Sequence, residues 1–230
     1  MLVIYGAGSS VAEKITEQFE NIGREVLCLS RTKPTFIPAD RYFHYDDQDK
    51  FIEKLCEWRR TDRSTPITVL LLTAFSPDKL FGLMGTDEIH LSLSINVTNQ
   101  LLFCHKILKR AKTLSPMNLS YISSFRSKYP TRGVSVYAAS KSFNETFFKN
   151  IALEYGKIGI RSNSIRLGFL DTGLSTTGNF HGRQKEIKGA ISVERMCTAR
   201  DLADCLKSLE LCEYLNGSVI DLNGGLNITV

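Results

Sequence analysis

Tyr137 and Lys141 stand four residues apart in VYAASKSFNE, part of a stretch from about Ser135 to Gly156 in which Phe143, Phe147 and Ile151 recur at i, i+4 and i+8. On a helix this spacing puts both side chains on one face. A phenol, with an ordinary pKa of about 10, is a poor proton donor or acceptor at neutral pH. An ammonium group beside it favours the phenolate and brings that pKa down. Such a pair is suited to passing a proton to or from an oxygen of a bound molecule. By itself Y-x-x-x-K is a common surface accident, so its neighbours decide. Ser124 ends an apolar run thirteen residues before Tyr137 and supplies a second hydroxyl. Asn96, forty-one residues before Tyr137, interrupts a helical pattern with a residue that does not favour helix interiors.

These residues need a scaffold. The runs LVIY (2–5), EVLCLS (25–30), RYFHY (41–45), ITVLLLTA (67–74), MNLSYISS (117–124), IRSNSIRLG (160–168) and GSVIDL (217–222) read as strands. Helices are expected from Ser10 to Ile22, closed by Gly23, over DQDKFIEKLCEWRR, from Thr86 to Lys112, from Ser135 to Gly156 and over TARDLADCLKSL. Continuous apolar runs such as ITVLLLTA suit strands covered on both faces. The alternation implies an α/β fold: a single doubly wound, Rossmann-type domain with a parallel sheet of about seven strands and helices on both faces. In such sheets ligands bind at the C-terminal ends of the strands, where Ser124 falls.

The length of 230 residues suits one domain, and 43% hydrophobic with 23% charged residues is ordinary globular composition. The net charge of +5 is mild and its basic residues are dispersed, which argues against nucleic acid as a partner. No apolar run approaches the ~18 residues of a membrane span, and no signal peptide is evident at the start. Six cysteines without a C-x-x-C pair, Cys28 among them in an apolar strand pattern, fit reduced thiols and a cytoplasmic protein.

Between the first strand and the first helix lies YGAGSSVA (5–12). Gly6 and Gly8 open a G-x-G-x-x-G pattern whose third glycine falls on Val11. Read as G-x-x-x-G-x-G, the turn has Ser10 and Ala12 where glycines belong. Gly6 can make the tight turn, Ser10 offers a hydroxyl and an N–H, and Ala12 is the smallest substitute for close helix packing. The helix N-terminus still favours a phosphate, so the turn reads as altered but working.

YISS, YAASK, IRSNSIRLGFLDT and NGSVIDLNGG, in this order and at this spacing, resemble the successive signatures of the short-chain dehydrogenase/reductase family over nearly the whole chain. The resemblance implies a ketone–alcohol oxidoreductase that uses a nicotinamide cofactor. It implies catalytic Tyr137 as proton donor or acceptor, Ser124 orienting the carbonyl or alcohol oxygen, Lys141 holding the nicotinamide ribose, and Asn96 anchoring a water that links Lys141 to solvent. Cofactor contacts would come from Gly6, Gly8, Ser9, Ser10, Val11, Ser30, Arg31, Thr32, Asp46, Asp47, Thr73, Ala74, Tyr137, Lys141, Gly168, Leu170 and Thr172, and no metal is implied. Asp46 would cap the adenine edge. The family's N-N-A-G after the fourth strand is here Leu72-Thr73-Ala74-Phe75, so Thr73 or some other group must brace the sheet. Its Pro-Gly after the sixth strand is Leu167-Gly168.

An acidic residue at the end of the second strand would favour NAD(H), but Ser30 stands there and Arg31 follows. Arginine can grip a 2′-phosphate with two N–H groups, so NADP(H) is expected over NAD(H). Residues 174–196, polar and containing His181, Arg183, Lys185 and Lys188, read as a substrate lid. With Arg126, Lys128 and Arg132 before Tyr137, they leave two readings open: solvated surface charge, or recognition of an anionic or carrier-linked carbonyl substrate. A homodimer or homotetramer is implied by resemblance, built on the helix that carries Phe143, Phe147 and Phe148 and on its neighbour from Thr86. The alternative function is a catalytically retired relative that binds cofactor as a sensor or scaffold.

Overall fold

The computed structural model describes residues 1–176 and 182–226. Seven parallel strands form one sheet: β1 (Leu2–Tyr5), β2 (Val26–Ser30), β3 (Tyr42–His44), β4 (Ile67–Leu71), β5 (Met117–Ser124), β6 (Ile160–Leu167) and β7 (Val219–Leu222). Their order is β3-β2-β1-β4-β5-β6-β7, so the winding reverses between β1 and β4. Adjacent strands diverge there at their C-terminal ends, which is where such sheets hold ligands.

Period-two alternation feeds both faces of the sheet. In β1, Val3 and Tyr5 join a core with Phe51, Leu55, Phe103 and Phe148, from α2 (Gln48–Thr61), α4 (Asn99–Leu108) and α6 (Ser135–Tyr155). Leu2 and Ile4 join the opposite core with Ile15, Phe19, Leu202 and Leu206, from α1 (Ser10–Glu20) and α8 (Ala199–Leu211). Phe19 is fully buried, which is worth about 1.5–3 kcal/mol relative to exposure. Between these elements lie α3 (Thr86–Leu93), α5 (Ala111–Leu114) and α7 (Gln184–Gly189). The doubly wound α/β domain is therefore as the sequence predicts.

Two expectations are corrected. The stretch from Thr86 to Lys112 is not one helix: α3 passes through a π-helical turn, Ser94–Thr98, before α4 begins. Phe147 and Phe148 do not face outward with Phe143. Phe148 is 1% exposed and stacks on Tyr121, Phe147 packs against the core, and Phe143 alone of the three is exposed.

Arginines close the edge where the strands begin. Arg24 makes a two-armed ion pair with Glu210 at 2.9 and 3.1 Å and also donates to the carbonyls of Met1 and Pro66. Thr68 Oγ1 donates to the same Glu210 carboxylate. Arg59 donates to the carbonyls of Asp62, Thr65 and Pro116, and Arg161 to those of Leu209, Glu210, Cys212 and Leu215.

Candidate active site

At the opposite edge two cavities adjoin. One, of about 360 Å³, runs from the β1–α1 turn to the end of β2 and is lined by Gly6, Gly8, Ser9, Ser30, Arg31, Thr32, Tyr45, Thr73, Ala74 and Phe75. Gly6 has φ +98°, and a Cβ there would lie 2.7 Å from Thr73 Cγ2 and 2.9 Å from Thr73 N, so no other residue fits. A Cβ on Gly8 would meet nothing within 4 Å, so the space beside it is open. Ser9 caps α1, its hydroxyl accepting from Ala12 N at 3.3 Å. Ala12 is fully buried against the sheet. The Ser10 hydroxyl is hydrogen-bonded to Thr172 Oγ1, which ties the segment after β6 to the start of α1.

Ser30 turns inward, its hydroxyl donating to Thr32 O at 2.7 Å, while Arg31 and Thr32 are exposed along the cavity. Asp46 and Asp47 line neither cavity. After β3 the chain turns into α2, so Asp46 faces His44 at 3.4 Å and Asp47 faces Lys50 at 2.8 Å.

The second cavity, of about 540 Å³, is lined by Ser9, Ser10, Val11, Ala74, Ser124, Arg126, Tyr137, Lys141, Gly168, Leu170 and Thr172. A Cβ on Gly168 would come within 2.9 Å of Asn223 Cα, so glycine is needed for this close passage after β6. Ser124 ends β5, and Tyr137 and Lys141 lie one turn apart on α6. Lys141 is 1% exposed, donates to Ile122 O at 2.8 Å and lies 4.9 Å from the Tyr121 ring centroid and 5.5 Å from that of Tyr137. Burial pushes its ammonium down to about 7, against the pull of the Glu145 carboxylate.

The Tyr137 phenol stands above its ordinary value, because burial outweighs the Ser124 hydroxyl and the Arg126 guanidinium, which draw it down; Asp78 adds to the rise. Lys141, itself lowered by burial, is not among the groups that draw the phenol down here.

Asn96 is fully buried in the π turn. Its side chain clamps one residue, Oδ1 accepting from Phe75 N and Nδ2 donating to Phe75 O, both at 2.8 Å. Gln100 donates to Thr73 O at 3.3 Å. The brace after β4 therefore comes from α4 and the π turn, and Thr73 Oγ1 has no protein hydrogen-bond partner among the described residues. The Asn96 backbone carbonyl accepts from Asn144 Nδ2 at 2.6 Å. A π turn displaces carbonyls from the helical ladder, and this one is taken by a side chain.

Sequence reasoning missed Asn144, which also donates to Tyr121 OH at 3.0 Å, and Glu145, held by Arg166, Ser123 and Ser127. The available signal was two adjacent polar residues three and four positions after Lys141, on the buried side of α6. Of the expected lid, residues 177–181, including His181, lie outside the described residues. Arg183 pairs with Glu186, and Ile187, Ile191 and Met196 pack with Phe125 and Leu226.

Residues 6–227 match a family model described as enoyl-(acyl carrier protein) reductase. That description belongs to the model; seven residues before Lys141 stands Val134, so the Y-x₆-K spacing of divergent enoyl reductases is absent. An uncharacterized oxidoreductase of Escherichia coli, YgfF, is 33% identical over 62% of this chain and 60% of its own length. The 3-oxoacyl-[acyl-carrier-protein] reductase FabG of Buchnera aphidicola is 26% identical over 99% of this chain and 97% of its own. Among solved structures, ElxO with NADP bound has a TM-score of 0.80 at 18% identity, covering 98% and 97% of the two chains. The 3-ketoacyl-(acyl-carrier-protein) reductase of Brucella melitensis complexed with NADH has a TM-score of 0.81 at 19% identity, covering 99% and 98%. With the family model spanning all but the ends of the chain, this protein belongs to the short-chain dehydrogenase/reductase family and is an NAD(P)-dependent oxidoreductase by membership.

Proposed function

We propose that this protein interconverts a ketone and a secondary alcohol with NADP(H), Tyr137 exchanging the proton on oxygen. The observation that carries the reading is that Ser124, Tyr137 and Lys141 line one cavity beside the N-terminus of α1. The site fits a dinucleotide: the Gly6 turn is compulsory, open space adjoins Gly8, and one cavity is lined both by Ser9 and by Arg31. When bound, the nicotinamide supplies or accepts the hydride at the carbonyl carbon. In reduction, Tyr137 then gives its phenolic proton to the carbonyl oxygen, which the Ser124 hydroxyl orients. Lys141 is placed to hold the ribose once its partner at Ile122 is exchanged.

Preference for NADP(H) rests on Ser30 and Arg31, since solved relatives carry either cofactor. Asn96, Thr73, Ala74 and Leu170 act by shaping the walls. The name of the Buchnera relative favours an acyl-carrier-linked substrate as one form of the ketone. Exposed Leu102, Phe143 and Leu153 on α4 and α6, at 53%, 51% and 81%, favour association into a dimer or tetramer. No described helix is long and apolar enough to cross a membrane, and the free cysteines suit a cytoplasmic location.

The test is loss of NADPH absorbance with a panel of ketones, and the reverse with NADP⁺ and the matched alcohols. A protein that binds NADPH but turns over no member in either direction would overturn the assignment.

A further inference from the structure

We propose that Glu145 is a positioning residue for the reduction: its carboxylate grips the chain on both sides of Ser124 and fixes a negative charge one helical turn beyond Lys141. This deepens the reductase reading and rests on it. Lys141 and Glu145 are four residues apart on α6 and both are buried, so they share the covered face of that helix. Glu145 Oε1 accepts from Ser123 Oγ and from Ser127 Oγ, each at 2.5 Å, and from Arg166 Nε at 3.0 Å. Oε2 accepts from Arg166 Nη2 at 2.7 Å. Ser123 immediately precedes Ser124, and Ser127 closes the turn Phe125–Ser127 that follows it.

The Ser127 hydroxyl also stands 2.7 Å from Ser124 O. One proton serves one acceptor at a time, and the charged carboxylate is the stronger. Ser142, between Lys141 and Glu145, donates to Ser127 O at 2.8 Å. The turn after Ser124 is thus hung from the helix that carries Tyr137 and Lys141, which sets the three site residues against one another. Behind the carboxylate, Arg166 lies 3.6 Å from Asp221, and Asp221 pairs with Lys128 at 3.5 Å. Charges of alternating sign therefore run from a half-exposed lysine to the buried Glu145. A buried ion pair is often replaceable by apolar side chains without loss of stability, so the fold alone does not call for this charge.

Lys141 gives the charge its use. The titratable and charged groups around the lysine are Tyr137 and Glu145 on α6, Tyr121 on β5, Arg126 in the turn after β5 and Asp78 after β4, with Arg166 of β6 paired to Glu145. Glu145 opposes the effect of burial on the Lys141 ammonium. Without that carboxylate the proton leaves at lower pH, and the group placed to hold the ribose loses its charge sooner.

NMR titration of isotope-labelled lysines in the cofactor-free protein reads Lys141 directly, with K141M identifying its signal. Glutamine keeps the size of glutamate and one oxygen acceptor but drops the charge. In E145Q the Lys141 midpoint should fall by about one pH unit, and the alkaline limb of kcat/KM for ketone reduction should move to lower pH with it. S127A removes one grip and keeps the charge. Its Lys141 midpoint should match the wild type, while kcat falls about 10-fold with NADPH affinity unchanged. An unmoved midpoint in E145Q, or wild-type turnover in S127A, overturns the inference and leaves the reductase reading intact. If E145Q does not fold, E145M/R166M removes both partners together and takes its place in the titration, with the same fall expected. If the midpoint falls while the wild type reduces no ketone, the reductase reading has failed, and the charge beside Lys141 stands on its own.

Discussion

The two edges of the sheet solve opposite problems with similar residues. Where the strands begin, Arg24, Arg59 and Arg161 each spread their N–H groups over three or four protein oxygens, and Glu210 is gripped from Arg24 and Thr68 at once. Where the strands end, Lys141 donates to one carbonyl at 2.8 Å, Arg126 pairs with Asp78 at 4.0 Å, and Asn144 Oδ1 is buried with no hydrogen-bond partner among the described residues. Buried polar groups are costly unless satisfied. One edge meets most of that cost within the fold, Arg24 Nε and Arg59 Nε excepted, and holds β1, β4, α1 and α8 together; the other presents Ser124, Tyr137 and Lys141 to a cavity.

The comparison breaks most visibly at the strand ends. Tyr137→Phe should lower kcat by about 10²–10⁴-fold with Tm and cofactor binding retained, because a transferable proton goes and little volume with it. Near-normal turnover would remove Tyr137 from the chemistry. At the strand starts the pattern should invert: Arg24→Ala strands the Glu210 carboxylate and should cost about 3 kcal/mol in denaturant titration, with kcat of the folded enzyme unchanged. A midpoint like the wild type's would show the two edges to be equally dispensable for stability.

Arg31→Ala should weaken NADPH by about 10–100-fold and NADH little, since one charge-assisted contact to the 2′-phosphate is lost. Equal losses by calorimetry would assign Arg31 to general electrostatics. The smallest effect concerns Lys141. Its pKa of about 7 when folded lies below the ordinary 10.5, so between these values the unfolded chain binds the extra proton. Native stability therefore falls as pH drops through that window. Lys141→Met should raise the Tm of the cofactor-free protein by a few degrees below pH 7, the gain fading toward pH 10.5. A gain that does not change across the window would mean that burial leaves the lysine charged.

Much of the fold was legible because each strand is a continuous apolar run flanked by an amphipathic helix. Ser124, Tyr137 and Lys141 were legible for a related reason: a strand end and a one-turn helical spacing fix their meeting locally. What escaped depends on distance along the chain. Arg24 meets Glu210 across 186 residues, and Asn144 meets Asn96 across 48. The π turn at Ser94–Thr98 scarcely disturbs helical periodicity, so Thr86 to Lys112 read as one helix. The i, i+4 spacing of Phe143 and Phe147 says that residues share a face but not which face is covered, hence the misreading of Phe148. Asp46 was placed by analogy with an adenine contact; it lies in the turn Tyr45–Asp47 that follows the end of β3 at His44.

The Asn96 clamp has a consequence for how this loop tolerates change. Both of its hydrogen bonds are made to the main chain of Phe75, much as a neighbouring strand would make them. The carboxamide thus extends the sheet's pairing beyond Leu71 without asking anything of the side chain at position 75. A brace that grips only backbone is indifferent to residue identity, so Leu72-Thr73-Ala74-Phe75 can stand where the family has N-N-A-G without loosening the loop. A substitution at position 75 can therefore change the wall it gives the cofactor cavity while the path of the chain stays fixed.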